Sequence, residues 1–77
     1  MATTTAVDSG SDTAVLVNGE AVTARAETLA DLIETLGYAG LKVATAVNGG
    51  FVPERRRGET RIASGDRIEI VAPRQGG

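Results

Sequence analysis

The dipeptide Asn18-Gly19, set between two β-prone stretches, constrains this chain more than any other feature. Both central residues of a type I′ turn need positive φ, and Asn followed by Gly meets that demand at least cost. Ala14, Val15, Leu16 and Val17 form the strand ahead of the turn. Glu20 to Ala24 form the return, with Val22 as its one bulky apolar residue. A second signal of the same kind, Asn48-Gly49-Gly50, closes a strand predicted over Val43 to Val47. Phe51-Val52 returns briefly until Pro53, which cannot donate to a ladder and marks a strand end.

Between the two turns lies a helix with legible ends. Thr28 is a good N-cap, and Asp31 three residues later completes an approximate capping box. Leu29, Leu32, Ile33 and Leu36 stand at i, i+3, i+4 and i+7, which is one helix face and a core stripe. Gly37 supplies the left-handed position that stops the helix. Beyond Pro53, Glu54 to Glu59 reads as a charged loop and Thr60 to Ala63 as a short extended or turn segment. After the polar turn Ser64-Gly65-Asp66, the run Arg67-Ile68-Glu69-Ile70-Val71 alternates charged and apolar, as a half-buried strand does. The order is β-β-α-β-β-β, an α+β class in which helix and sheet share one core. The crossover from first to last strand is long enough for the two to lie side by side in parallel. That is the β-grasp arrangement: a mixed sheet of about four to five strands packed on one helix.

Composition excludes most chemistry. With 77 residues there is room for one domain. With 0 Cys and 0 His there is no thiol nucleophile, imidazole base, disulfide framework or zinc finger. Tyr38 and Phe51 are the only aromatic residues, too few for base stacking. Lys and Arg number 8 against 10 Asp and Glu, a net charge of −2 that argues against nucleic acid as a partner. No apolar run approaches the roughly 20 residues that span a bilayer. Neither a GxGxxG nor a Walker pattern occurs, and Glu20, Glu27, Asp31 and Glu34 read as helix-dipole and solubility charges rather than a metal cluster. The chain is expected to hold no cofactor and no metal, to catalyse nothing by itself and to be a monomer alone. Met1 to Thr13 read as a disordered lead, residues 14–72 as the domain and residues 73–77 as a flexible tail. The lead has neither the basic start nor the apolar stretch of a secretory signal, so a cytoplasmic location is expected.

The pieces Val17-Asn18-Gly19-Glu20, Thr28-Leu29-Ala30-Asp31-Leu32, Val47-Asn48-Gly49 with Val52-Pro53, Gly65-Asp66 and the final Gly76-Gly77 occur in a fixed order. In that order and spacing, the chain from Ala14 to Gly77 resembles the sulfur carriers of thiamine biosynthesis, the ThiS family of small ubiquitin-like proteins. The run Arg55-Arg56-Arg57 is heavier than the family's usual single arginine after Val-Pro, and Ala72-Pro73-Arg74-Gln75 is more polar than its usual tail.

The resemblance implies that the reactive group is the α-carboxylate of Gly77. Glycine has no Cβ, so Gly76-Gly77 can thread a narrow channel in a partner's active site. A carboxylate is a poor electrophile, and the resemblance implies activation as an acyl-adenylate by an E1-like, ThiF-like enzyme that uses ATP. Sulfur from a cysteine desulfurase or a rhodanese-type protein then gives a thiocarboxylate, which thiazole synthase (ThiG-like) accepts. Arg55, Arg56, Arg57 and Arg74, with Arg61, are candidates for docking an acidic partner surface. Alternatives are the small subunit of molybdopterin synthase, which shares fold, Gly-Gly end and chemistry, and a non-covalent ubiquitin-like binding module. Lys42 is the only lysine on which a covalent modifier could build chains.

Overall fold

The computed structural model describes residues 12–72. Strand β1 spans Asp12–Val17 and β2 spans Glu20–Arg25, joined by the Asn18-Gly19 turn with φ of 53° and 86°. Helix α1 covers Leu29–Thr35. Strands β3 (Ala44–Val47) and β4 (Gly50–Val52) form the second hairpin, a 3-10 helix follows over Glu54–Glu59, and β5 is Arg67–Val71. All five strands lie in one sheet of order β2-β1-β5-β3-β4. Strand β5 runs parallel to β1 and antiparallel to β3. This is the ubiquitin-like β-grasp, with the last strand at the centre of the sheet.

The helix begins and ends as its residues dictate. Thr28 Oγ1 accepts from the Asp31 N–H at 3.1 Å, and the Asp31 carboxylate accepts from the N–H groups of Glu27 and Thr28. Together these satisfy orphan donors that an open helix end leaves to water. At the other end Gly37, at φ 90°, donates to Glu34 O, and Tyr38 N–H reaches Ile33 O at 2.9 Å. That pair of bonds is a Schellman motif, which requires a residue able to hold positive φ. Leu29 and Leu32 are completely buried, and with Ile33 they share one core with Val15, Val17, Ile68 and Ile70.

The Glu27 N–H, and next to it the Thr28 N–H, hold the Asp31 carboxyl below the usual carboxylate range. Its folded form therefore binds a proton less readily than the unfolded chain does. The stabilisation is fully present above the ordinary carboxylate range and disappears as pH falls through the depressed value. Asp31→Asn is expected to lower the melting temperature near neutrality, where the carboxylate's contribution is fully present, and to approach the wild-type value as pH falls, flattening the acid side of the profile.

Several boundaries differ from the sequence expectation, each for a local reason. Strand β1 starts at Asp12, not Ala14, because Asp12 and Thr13 pair with Arg25 and Ala24 and the buried Thr13 hydroxyl donates to Ala26 O at 3.0 Å. Residues 1–11 and 73–77, and with them the expected disordered lead and flexible tail, lie outside the described residues. Val43 stands before β3 rather than in it, since its carbonyl accepts from Arg57. Leu36 is only partly buried, because it caps the helix instead of lying along its face. Ile62, expected in a turn segment, is buried, and its N–H bonds to Glu27 O while Arg61 bridges to Thr28.

Candidate functional site

Strand β5 is the structural route to the Gly-Gly end, and its alternation sorts its side chains. Ile68 and Ile70 point into the core; Arg67, Glu69 and Val71 stand exposed on the sheet face opposite the helix. Residues directly opposite one another in a sheet share a face. Leu16 lies opposite Arg67, Ala46 opposite both Glu69 and Phe51, and Ala44 opposite Val71. The open face therefore collects three large exposed hydrophobic residues: Leu16, Val71 and Phe51, the last 70% exposed. Arg67 and Glu69 interrupt them with one charge of each sign. A shallow groove of about 570 Å³ runs along this face between the two Asn-Gly turns, with Leu16, Arg67, Glu69 and Val71 in its lining. An apolar, lightly charged surface of this kind suits a protein partner better than water.

Both turn asparagines do more than turn the chain. Asn18 Oδ1 accepts from the Ile70 N–H at 2.9 Å and its Nδ2 donates to Ile70 O at 3.0 Å, so its side chain continues the ladder where β1 has ended. Asn48 Oδ1 accepts from the Arg67 N–H at 2.9 Å, and its Nδ2 donates to Asp66 Oδ1 at 3.1 Å. Each hairpin thus grips β5 with a side-chain amide. Sequence reasoning took these residues as turn formers only. The signal was the choice of Asn at both places: Asp also tolerates the turn but has no donor to offer.

The basic run does not form one exposed patch. Arg55 is exposed; Arg56 is exposed and pairs with Glu59 at 3.2 Å. Arg57 is a correction to the expected docking set. It is 8% exposed, with Nε donating to Thr45 Oγ1 at 3.0 Å and Nη2 to Val43 O at 2.6 Å. The expected charged loop folds instead as the 3-10 helix, whose tight turn swings this one guanidinium inward. Thr45, itself buried, passes the connection on by donating to Val52 O at 2.7 Å. Arg61 lies 3.9 Å from Glu27, and both are exposed. Arg74, Gly76 and Gly77 fall outside the described residues. Arg57→Ala is expected to cost about 1–3 kcal/mol, because it leaves the buried Thr45 hydroxyl and the half-buried Val43 carbonyl short of donors and removes the packed stem. Arg55→Ala should stay within about 0.5 kcal/mol. Urea unfolding of the two variants measures the difference.

Among the described residues, no three His, Cys, Asp or Glu side chains gather as metal ligands, and no helix is long and apolar enough to cross a membrane. Compared with known proteins, the ThiS family model matches residues 15–77. The chain belongs to the ThiS family. The crystal structure of a thiamine biosynthesis protein, ThiS, from Geobacter metallireducens superposes with a TM-score of 0.69 at 26% identity, over 83% of this chain and 99% of that one. No curated protein matches. The ThiS match takes in both Asn-Gly turns, the central strand and Gly76-Gly77.

Proposed function

We propose that this protein is a sulfur carrier of thiamine biosynthesis, whose working atom is the carboxylate carbon of Gly77. The observation that carries the reading is the ThiS match running through to Gly77. The architecture supports it: β5, the last strand, is held between β1 and β3, and the apolar face around it is open to a partner. The carrier contributes a rigid base and an end group, and partner enzymes contribute the chemistry.

In this reading a ThiF-like adenylating enzyme docks on the face of Leu16, Phe51 and Val71 and takes Gly76-Gly77 into its active site. The Gly77 carboxylate attacks the α-phosphate of ATP, pyrophosphate leaves, and an acyl-adenylate forms. The terminal sulfur of a persulfide on a cysteine desulfurase or rhodanese-type donor then displaces AMP, and a thiol cleaves the resulting acyl disulfide, leaving as a disulfide with the donor's cysteine sulfur. The product is a thiocarboxylate, which a ThiG-like thiazole synthase consumes. ATP belongs to the partner, so the carrier needs no nucleotide site of its own. The absence of Cys costs nothing, because the sulfur rides on the backbone terminus.

Incubation with the adenylating enzyme, ATP and a sulfur donor is expected to add the mass difference between sulfur and oxygen to the intact protein. A chain that returns with unchanged mass, while a second ThiS protein converts beside it, overturns the reading.

A further inference from the structure

The chain has two asparagines, Asn18 and Asn48, and each is followed by glycine in a turn at positive φ. Their surroundings differ in one chemical respect. At Asn18 the amide nitrogen faces the Ile70 carbonyl, which carries no proton, in a half-buried position. At Asn48 the amide nitrogen faces the Asp66 carboxylate in an exposed one.

We propose that Asn48-Gly49 is a self-modification site, at which the fold promotes succinimide formation and conversion to aspartate and isoaspartate. The Gly49 backbone nitrogen attacks Asn48 Cγ, forming the N–Cγ bond of the ring. The Arg67 N–H, 2.9 Å from Oδ1, stabilises the charge that builds on that oxygen in the tetrahedral intermediate. The Cγ–Nδ2 bond then breaks, and Nδ2 leaves as ammonia. Asp66 returns to it the proton released from the Gly49 nitrogen, so the carboxylate is unchanged at the end. Water opens the imide at either carbonyl, giving aspartate or, with one extra main-chain atom, isoaspartate. Nothing is oxidised or reduced. Gly49, like Gly19 at the other turn, puts no side chain beside the attacking nitrogen. At Asn18 the same attack finds a backbone carbonyl in place of the carboxylate at Nδ2, while Oδ1 is held by the Ile70 N–H as Asn48 Oδ1 is by that of Arg67.

The product carries a carboxylate where Asn48 offered Asp66 a donor. Two acidic groups then meet at the start of β5, and the second hairpin loses one of its holds on that strand.

Tryptic cleavage separates the two sites, one in residues 1–25 and one in residues 43–55. After ageing of the full-length chain in neutral buffer, the 43–55 peptide is expected to hold aspartate and isoaspartate at several times the level of the 1–25 peptide. In denaturant the two should convert at similar rates. Asp66→Asn keeps an acceptor for Nδ2 but carries no proton, and is expected to slow conversion at Asn48 several-fold while leaving Asn18 unaffected. Conversion at Asn18 as fast as at Asn48 in the folded wild-type chain overturns the proposal. So does an Asp66→Asn variant with wild-type melting behaviour and an undiminished rate.

Discussion

Deletion of Gly77 is expected to abolish sulfur loading while leaving thermal unfolding unchanged. In the proposed function the reacting carbon is the carboxylate carbon of Gly77, whose position the partner sets from contacts on the folded domain. Removing one residue withdraws the carboxylate by about 3.3–3.6 Å at full extension. A misplacement of 1 Å can already cost on the order of 10²-fold in rate. Appending a residue after Gly77 should fail equally, because the new carboxylate overshoots the adenylation centre. Gly76→Val separates threading from reach: it keeps the length but adds a β-branched side chain that tolerates positive φ badly. The readout is intact-protein mass after incubation with adenylating enzyme, ATP and sulfur donor. Loading of the Gly77 deletion at the wild-type rate would transfer the protein to the class of non-covalent ubiquitin-like modules.

Leu32→Ala is expected to have the largest effect on stability, about 2–5 kcal/mol. Leu32 has no exposed surface and sits mid-helix, where the sheet below and the helix axis above leave little freedom to collapse around a cavity. A domain of this size buries only about 60% of the surface its unfolded chain exposes. With total stability of order 5–15 kcal/mol for small domains, a loss at the top of this range from a domain at the bottom of that one unfolds a substantial fraction of molecules. Chemical denaturation of the variant measures it. A cost below about half a kcal/mol is the range of surface substitutions and would mean that the helix does not press this face onto the sheet.

How much of this was written in the sequence depends on the range of the interactions. Both hairpins, the helix with its capping box and Gly37 stop, and the alternating last strand were legible because each is encoded within a few consecutive residues. The parallel placement of β5 beside β1 was legible from topology alone, since a long crossover and one shared core leave few other arrangements. Side-chain bonds across large sequence separation were not legible. Asn18 meets Ile70 and Asn48 meets Asp66 only after the sheet has assembled. Arg57 is the clearest case. In a run of three arginines nothing local marks which one turns inward, and burial of one guanidinium follows from the 3-10 turn and from Thr45 waiting beneath it. The open apolar face was likewise hidden, because Leu16, Phe51 and Val71 belong to three strands that share a surface only in the folded sheet.

The central position of β5 also has a mechanical consequence. A partner that holds the Gly-Gly end while the two proteins separate pulls along the axis of this strand. At the rim of a sheet a strand under such load can peel, its hydrogen bonds yielding one after another. Strand β5 is instead flanked by β1 on one side and β3 on the other, and both turn asparagines bond across to it. Tension therefore arrives as shear, spread over two ladders at once, and many bonds must give together before any is lost. A pull on the chain beyond β5 can thus be borne and released without the domain unravelling.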